Sequence, residues 1–244
     1  MQLGRRLVIA AGLLVFSLAA QGQTSAPGQT SAPGQAPVQD QAPAAAGPVY
    51  AVTYFEALPP AAAQAAALLK QFAAETAKKD GNAGVLALRE MGRPDRFAWV
   101  EAWRDKAALD AQGGALGASR QKMQPLFAAP FDRRPSSALA AAPPAAGNAT
   151  IYVLTHVDVP PPSKDDCIAL LKQLAEASRK EAGVVRFDVV QQDSRLNHFT
   201  VIEGWRDGRA RMAHVMAGST RDYRTKLTPM AGALFDERFY QAIR

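Results

Sequence analysis

Glu101-Ala102-Trp103-Arg104-Asp105 and Glu203-Gly204-Trp205-Arg206-Asp207 differ at a single position and stand 102 residues apart. Working outward at that spacing, Val49 to Asp105 falls on Ile151 to Asp207 without a gap, and 18 of the 57 positions are identical. Leu68-Leu69-Lys70-Gln71 meets Leu170-Leu171-Lys172-Gln173, and Gly81 meets Gly183. After a two-residue shift the match resumes. Lys122-Met123-Gln124-Pro125-Leu126 meets Lys226-Leu227-Thr228-Pro229-Met230, and Phe131-Asp132 meets Phe235-Asp236. Composition bias does not produce ungapped agreement on Trp, Gly, Pro and Glu, even in a chain this rich in alanine. The folded region reads as two copies of one unit. They span residues 49–134 and 149–244, joined by a linker over 135–148 (PSSALAAAPPAAGN).

Copy two carries the clearer pattern. Ile151 to Val159 is rich in β-branched residues and stops at Pro160-Pro161-Pro162, which predicts a strand. Ser163 is placed to cap a helix, with Asp165 and Asp166 favourable in its first turn. Ile168, Leu171, Leu174 and Ala175 recur at helical spacing and give it a buried stripe, and Gly183 ends the helical region. Val184 to Gln192 and His198 to Trp205 are predicted strands around the turn Asp193 to Asn197, with Phe199, Val201, Glu203 and Trp205 sharing one face. Residues 208–234 read as helical, in two pieces broken near Gly218-Ser219, and 238–243 as a closing strand. The order β-α-β-β-α-β is the ferredoxin-like split pattern of an α+β fold.

Outside the copies, Arg5 and Arg6 precede an apolar run over residues 7–16 (LVIAAGLLVF), and small residues follow. Residues 1–22 therefore read as an export signal peptide, the run being shorter than the roughly 20 apolar residues of a spanning helix. No cysteine follows it to carry a lipid. Residues 23–48 repeat QTSAPG and form a Pro/Ala/Gln-rich flexible linker, unable to build a core. The expected destination is periplasmic or secreted, with no membrane attachment after cleavage. Of 244 residues, 48% are hydrophobic and 20% charged, which excludes disorder of the whole chain. The net charge is +6, but the basic residues are scattered, so no nucleic-acid stripe forms. One cysteine excludes an intramolecular disulfide and a Cys-rich zinc site. Three scattered histidines lack the spacing of a zinc or iron site, and no metal is expected. No GxGxxG, P-loop or GxSxG element supports nucleotide or acyl-transfer chemistry.

A first strand ending in Pro, a helix ending near Gly183, the strand Phe199-Thr200-Val201-Ile202-Glu203-Gly204-Trp205, and a helix with Met212-Ala213-His214 come in a telling order and spacing. Together they resemble the antibiotic biosynthesis monooxygenase domains of the dimeric α+β barrel superfamily. Residues 150–244 carry the pattern in full, whereas Gln112 of copy one stands where His214 stands. The resemblance implies two four-stranded sheets that face each other, here closing an intramolecular dimeric α+β barrel. Covalent linkage keeps the halves at high effective concentration, so a monomer is expected. It further implies a cofactor-independent oxygenase that needs no metal or flavin and takes a small aromatic ligand, a phenol or quinol, together with O2. Relatives that degrade haem use an Asn on the first strand, a Trp on the helix and a His further along. Here His214 stands in place of that Trp, Arg224 lies near the place of the His, and the first strand of copy two has no Asn. The competing function class is a non-catalytic binding module for a small hydrophobic ligand, and a third is a purely structural pseudo-dimer.

The candidate catalytic residue is His214, whose imidazole could take the proton of a phenol, or equally be a half-buried helix histidine. Trp205 could wall a pocket or simply pack in the core, as Trp103 would in copy one. Tyr223 and Tyr240 are candidates to orient substrate. His156 shares a face with Tyr152 and Leu154, opposite Ile151, Val153 and Val157, and periodicity leaves open which face points inward. Glu203 and Glu101 could be buried beside Arg206 and Arg104, lie exposed at the strand end, or serve as a base if burial raises their pKa. Cys167 reads as a small buried hydrophobe. The active pocket is expected in copy two, and copy one is the degenerate repeat.

Overall fold

The computed structural model describes residues 47–112, 119–143 and 148–243. Copy one comprises strand β1 (Val49–Glu56), helix α1 (Ala62–Thr76), strands β2 (Asn82–Glu90) and β3 (Arg96–Trp103), the short helix α2 (Lys106–Asp110) and strand β4 (Asp132–Ala140). Copy two comprises β5 (Ile151–Asp158), α3 (Lys164–Ser178), β6 (Val184–Gln192), β7 (His198–Trp205), α4 (Gly208–Met216), α5 (Gly218–Leu227) and β8 (Asp236–Ala242). The prolines after β1 and β5 stop the strands and seed one 3-10 turn each, Pro59–Ala61 and Pro161–Ser163, in front of the long helices. Ser163 occupies the cap position of α3 but makes no capping bond, because its backbone (φ −88°, ψ 2°) still belongs to that turn. Side-chain caps do form at Asp105 and Asp207, which accept from Ala108 N (2.8 Å) and Ala210 N (2.9 Å) in extended conformation. The break between α4 and α5 falls at Ala217, whose ψ of 146° is extended.

Gly81 and Gly183 explain their place in the repeat. Both have positive φ, 75° and 84°, and their carbonyls accept from Arg104 N and Arg206 N at 2.8 Å. A Cβ there would sit 2.5 Å from Ala108 Cβ in copy one and 2.6 Å from Ala210 Cβ in copy two. Glycine is thus needed twice over, for the left-handed backbone and for the close approach of the following helix.

The eight strands close a barrel in the order β1-β3-β2-β8-β5-β7-β6-β4. All pairings are antiparallel. Within each copy the first strand is flanked by the third and the fourth, and the copies join at two seams. Leu88 to Glu90 pairs with Tyr240 to Ala242, and Ser136 to Ala140 pairs with Val189 to Gln192. The fold is therefore α+β, two ferredoxin-like repeats forming an intramolecular barrel.

Both faces of this sheet are covered. Inside the barrel, Tyr50, Val52, Leu88, Val100, Leu154 and Ile202 form one apolar cluster drawn from both copies. The outer face packs on helices, through Leu69, Phe72, Phe97 and Trp99 in copy one and Leu171, Phe187, Phe199 and Trp205 in copy two. Polar groups inside the barrel are paired: buried Asp188 accepts from Arg186 Nε (2.6 Å) and from Tyr50 Oη of the other copy (3.2 Å). Burial and the Asp188 charge push the Tyr50 pKa up to about 12.

One boundary needs correction. Residues 135–140, read as linker, are most of β4, bonded on one side to β1 and on the other to β6. Alanine, serine and proline are weak strand formers, and here pairing on both sides overrides propensity. The signal peptide and nearly all of the 23–48 linker lie outside the described residues. Among the described residues, no helix is long and apolar enough to cross a membrane.

Candidate functional site

The space between the outer sheet face and the helices differs between the copies. In copy two it is filled. Trp205 is fully buried, and its Nε1 donates to Glu203 Oε2 at 2.7 Å. Arg211 of α4 reaches the same carboxylate (Nε to Oε2, 3.2 Å) and also pairs with Glu237 of β8. Tyr223 of α5 is buried in the same cluster. The His214 ring lies on Trp205, centroids 4.8 Å apart, with Nδ1 3.0 Å from Glu181 Oε2 and 3.3 Å from Thr220 Oγ1. The free volume left is about 20 Å³. Burial raises the Glu203 pKa to about 7, although Arg211 and the Trp205 indole favour the charged form. Burial, helped by Arg211 and Arg224, lowers that of His214 to about 3. The imidazole is therefore neutral, and its contact with Glu181 is a hydrogen bond from Nδ1–H rather than an ion pair.

In copy one the matching positions read differently. Leu109 stands for Arg211, Ser119 for Tyr223, Gln112 for His214, Lys79 for Glu181 and Arg133 for Glu237. Removing the tyrosine ring and the arginine opens a cavity of about 270 Å³. Among the described residues its polar inner wall is Thr53, Glu101 and Arg133, and its apolar walls include Leu69, Phe72 and Trp99. Trp99 stands where copy two has Val201. Glu101 is 3% exposed, with Oε2 3.6 Å from Arg133 Nη2. Four buried polar atoms here lack a hydrogen-bond partner: Trp99 Nε1, Trp103 Nε1, Arg133 Nε and Glu101 Oε2. Desolvation raises the Glu101 pKa above the ordinary carboxylate value, only partly opposed by Arg133 and the Trp99 indole. A buried carboxylate of raised pKa among unused N–H donors can take a proton from a ligand and hold an oxygen of it.

The structure divides the residues singled out in the sequence. Trp205, Tyr223 and His214 come together, on the helix side of copy two, in packed surroundings. Tyr240 and His156 lie across the sheet from them. Tyr240 is in the barrel cluster, and His156 is bridged to Arg134 Nη1 (3.2 Å) and to His198 Nδ1 (3.2 Å). The pocket expected in copy two is thus open in copy one instead, because side-chain bulk decides it. The carboxylates are buried beside Arg211 and Arg133. Arg206 and Arg104 are exposed and pair with their neighbours Asp207 and Asp105. Cys167 is buried, its pKa pushed up to about 12 by desolvation, consistent with a packing role. The sequence reading passed over Trp99, Ser119 and Arg133; the signal available was that each replaces a residue of different size or charge in the other copy. Among the described residues, no group of three or more His, Cys, Asp or Glu side chains is placed to hold a metal.

Three solved structures share the two-copy architecture. A "putative monooxygenase" of Fusobacterium nucleatum superposes with a TM-score of 0.73 at 18% identity, over 82% of this chain and 94% of that one. A "putative monooxygenase" of Lactobacillus acidophilus gives 0.70 at 12% identity, over 81% and 95%. An "anthrone oxidase-like protein" gives 0.61 at 10% identity, over 81% and 92%. At these identities the likeness is one of fold. No curated protein matches the sequence. The sequence profile of the antibiotic biosynthesis monooxygenase family matches residues 48–112 and again 150–226, more than half of the chain and once in each copy. With the duplicated barrel, these two matches make the chain a member of the antibiotic biosynthesis monooxygenase family, carrying two copies of its domain in one polypeptide.

Proposed function

We propose that the protein is an exported monooxygenase that oxidises a small phenol or quinol in the copy-one cavity, with Glu101 as the base. The observation that carries this reading is the buried Glu101 Oε2, paired with Arg133 at 3.6 Å but without a hydrogen bond, beside a 270 Å³ space that Trp99 and Trp103 also line. The substrate hydroxyl donates to Glu101, and the carboxylate takes its proton to leave an electron-rich phenolate. The Trp99 and Trp103 N–H groups hold an oxygen substituent, which fixes the ring in a site shielded from water. The substrate then supplies the electrons: one atom of O2 stays on the ring, the other leaves as water, and the substrate loses two hydrogens. The raised pKa makes Glu101 a stronger base than an exposed carboxylate. Residues 1–22 and the sequence linker after them support a site of action beyond the inner membrane.

Oxygen uptake by the full chain, with a hydroquinone or an anthrone and a chelator present, tests the reading. Glu101→Gln is expected to lower kcat/KM by about 10²–10⁴. Glu203→Gln, in the filled copy, is expected to keep the rate per folded molecule. Full activity of Glu101→Gln overturns the assignment. The unused indole donors also suit a binding module for a small hydrophobic ligand. Ligand binding without oxygen uptake would select that reading.

A further inference from the structure

The exposed rim of the copy-one cavity is cationic in a way that its counterpart is not. Lys79, Arg120 and Lys122 line the cavity and are exposed. Among the described residues none of the three makes an ion pair. Arg120 is held in place by the Phe131 ring, 5.0 Å from its guanidinium carbon. The one carboxylate on the rim, Glu75, already accepts from Gln71 Nε2 at 2.9 Å. In the sequence, residues 113–118 (GGALGA) carry no ionisable side chain. In copy two the Lys79 position holds Glu181, bonded to His214, and the Arg120 position holds Arg224, 3.8 Å from Glu237. Copy two thus removes or balances two of the three charges, keeping only Lys226 at the Lys122 position without an ion pair among the described residues, whereas copy one leaves all three without one.

The inner end has the opposite chemistry. Its Glu101 Oε2, 3.6 Å from Arg133 Nη2, makes no hydrogen bond and can accept one, and between the two ends stand Leu69, Phe72 and Trp99. We propose that the cavity selects an aromatic carrying a hydroxyl at one end and a carboxylate at the other. The hydroxyl donates to Glu101, the ring fills the apolar middle, and the carboxylate meets Lys79, Arg120 and Lys122. Unpaired cations at the mouth of a low-dielectric cavity focus their field on an entering anion. At 270 Å³ the cavity lies just below the roughly 300–1,000 Å³ of ordinary ligand pockets, room for one or two fused rings. This inference rests on the reading of the copy-one cavity as the ligand site.

Calorimetric titration of the full chain with 6-hydroxy-2-naphthoate and with 2-naphthol tests both levels. The two probes share a ring system and differ in the carboxylate. The acid is expected to bind about tenfold more tightly at low salt, and the advantage should shrink as salt shortens the Debye length to about 8 Å. The double variant Lys79→Glu with Lys122→Glu should abolish the preference and leave 2-naphthol unchanged. Lys172→Glu with Lys226→Glu, the same charge change on exposed copy-two positions, should retain it. Equal binding of the two probes, or a preference that survives the rim variant, overturns the anionic specificity while the cavity stands. Absence of binding by either probe overturns the cavity as a ligand site, and the specificity with it.

Discussion

Copy two uses the space beneath its tryptophan for packing; copy one leaves the same space open. Both sites hold buried polar atoms without a hydrogen bond, Thr155 Oγ1, Arg211 Nε and Nη1 and Tyr223 Oη in copy two, but in copy one such atoms line a cavity. The framework is common to both: a Glu-x-Trp strand, a capping aspartate and a positive-φ glycine under the following helix. What differs is bulk and charge. Arg211, Tyr223 and His214 close one site, where Trp205 and Arg211 hold Glu203; Leu109, Ser119 and Gln112 leave Glu101 beside a cavity. Unsatisfied buried groups cost free energy in the unliganded protein, on the order of 1–3 kcal/mol each. A fold tolerates such a site where a ligand makes good the loss and where the rest of the molecule is tightly built. On the proposed reading, the filled copy is a stabilising half and the open copy is the one that takes the ligand.

The sharpest way to break this contrast is to exchange the residue that sets it. Tyr223→Ser empties the packed copy and is expected to cost about 3–5 kcal/mol in denaturant unfolding, as ring deletions in cores do. Ser119→Tyr fills the open copy, and should abolish naphthol binding with stability kept or raised. Equal stability losses from the two would mean that the copies are packed alike.

A smaller effect is expected at His214. Its ring lies on Trp205 and bonds Glu181, so His214→Gln should cost about 2–3 kcal/mol. The rate per folded molecule should not change. The folded pKa, about 3, lies below the unfolded value of about 6.5, so the histidine's contribution is full above pH 6.5 and lost as pH falls toward 3. The difference in stability between wild type and variant should therefore be flat above pH 6.5 and shrink in acid. A difference that grows in acid would mean that His214 is charged in the fold.

The smallest effect tests what the copies share. Gly81→Ala and Gly183→Ala each force a left-handed alanine, worth about 1–2 kcal/mol before the helix is displaced. Their costs should agree to within about 0.5 kcal/mol, since the obstructing Cβ atoms lie at 2.5 and 2.6 Å. A clear inequality would show that the scaffold, and not only the filling, has diverged.

The repeat, its element order and the barrel could be read in the sequence because identities at Gly, Trp and Asp mark backbone requirements, which both copies obey. The location of the open site could not. The Ser119 and Tyr223 positions lie beyond the two-residue shift, in a segment where local periodicity carries no information about volume. Attention to the family pattern in copy two favoured Trp205 and His214, yet the cavity lies in copy one, where Trp99, Ser119 and Arg133 differ from their counterparts. His156 and Tyr240 went to the wrong side for a related reason. A strand covered by helices outside and by a closed barrel inside is apolar on both faces, so alternation pairs its residues without saying which pair points where. Strand β4 was hidden by its composition, since Pro135, Ser136 and Ala138 are held by neighbours far away in the chain.

The buried Tyr50–Asp188–Arg186 contact has a consequence for heredity. In a dimer of identical subunits every substitution appears twice, so a residue that suits one half must suit the other. Here Gly84 and Leu86 occupy the places that Arg186 and Asp188 hold in copy two. The acid and its arginine therefore enter the barrel once, and a tyrosine from the other copy receives them. Two copy-two halves meeting each other would bury that charged pair twice. Joined in one gene, each half is free to accumulate changes that its twin could not survive, which is how one can lose its cavity while the other keeps it.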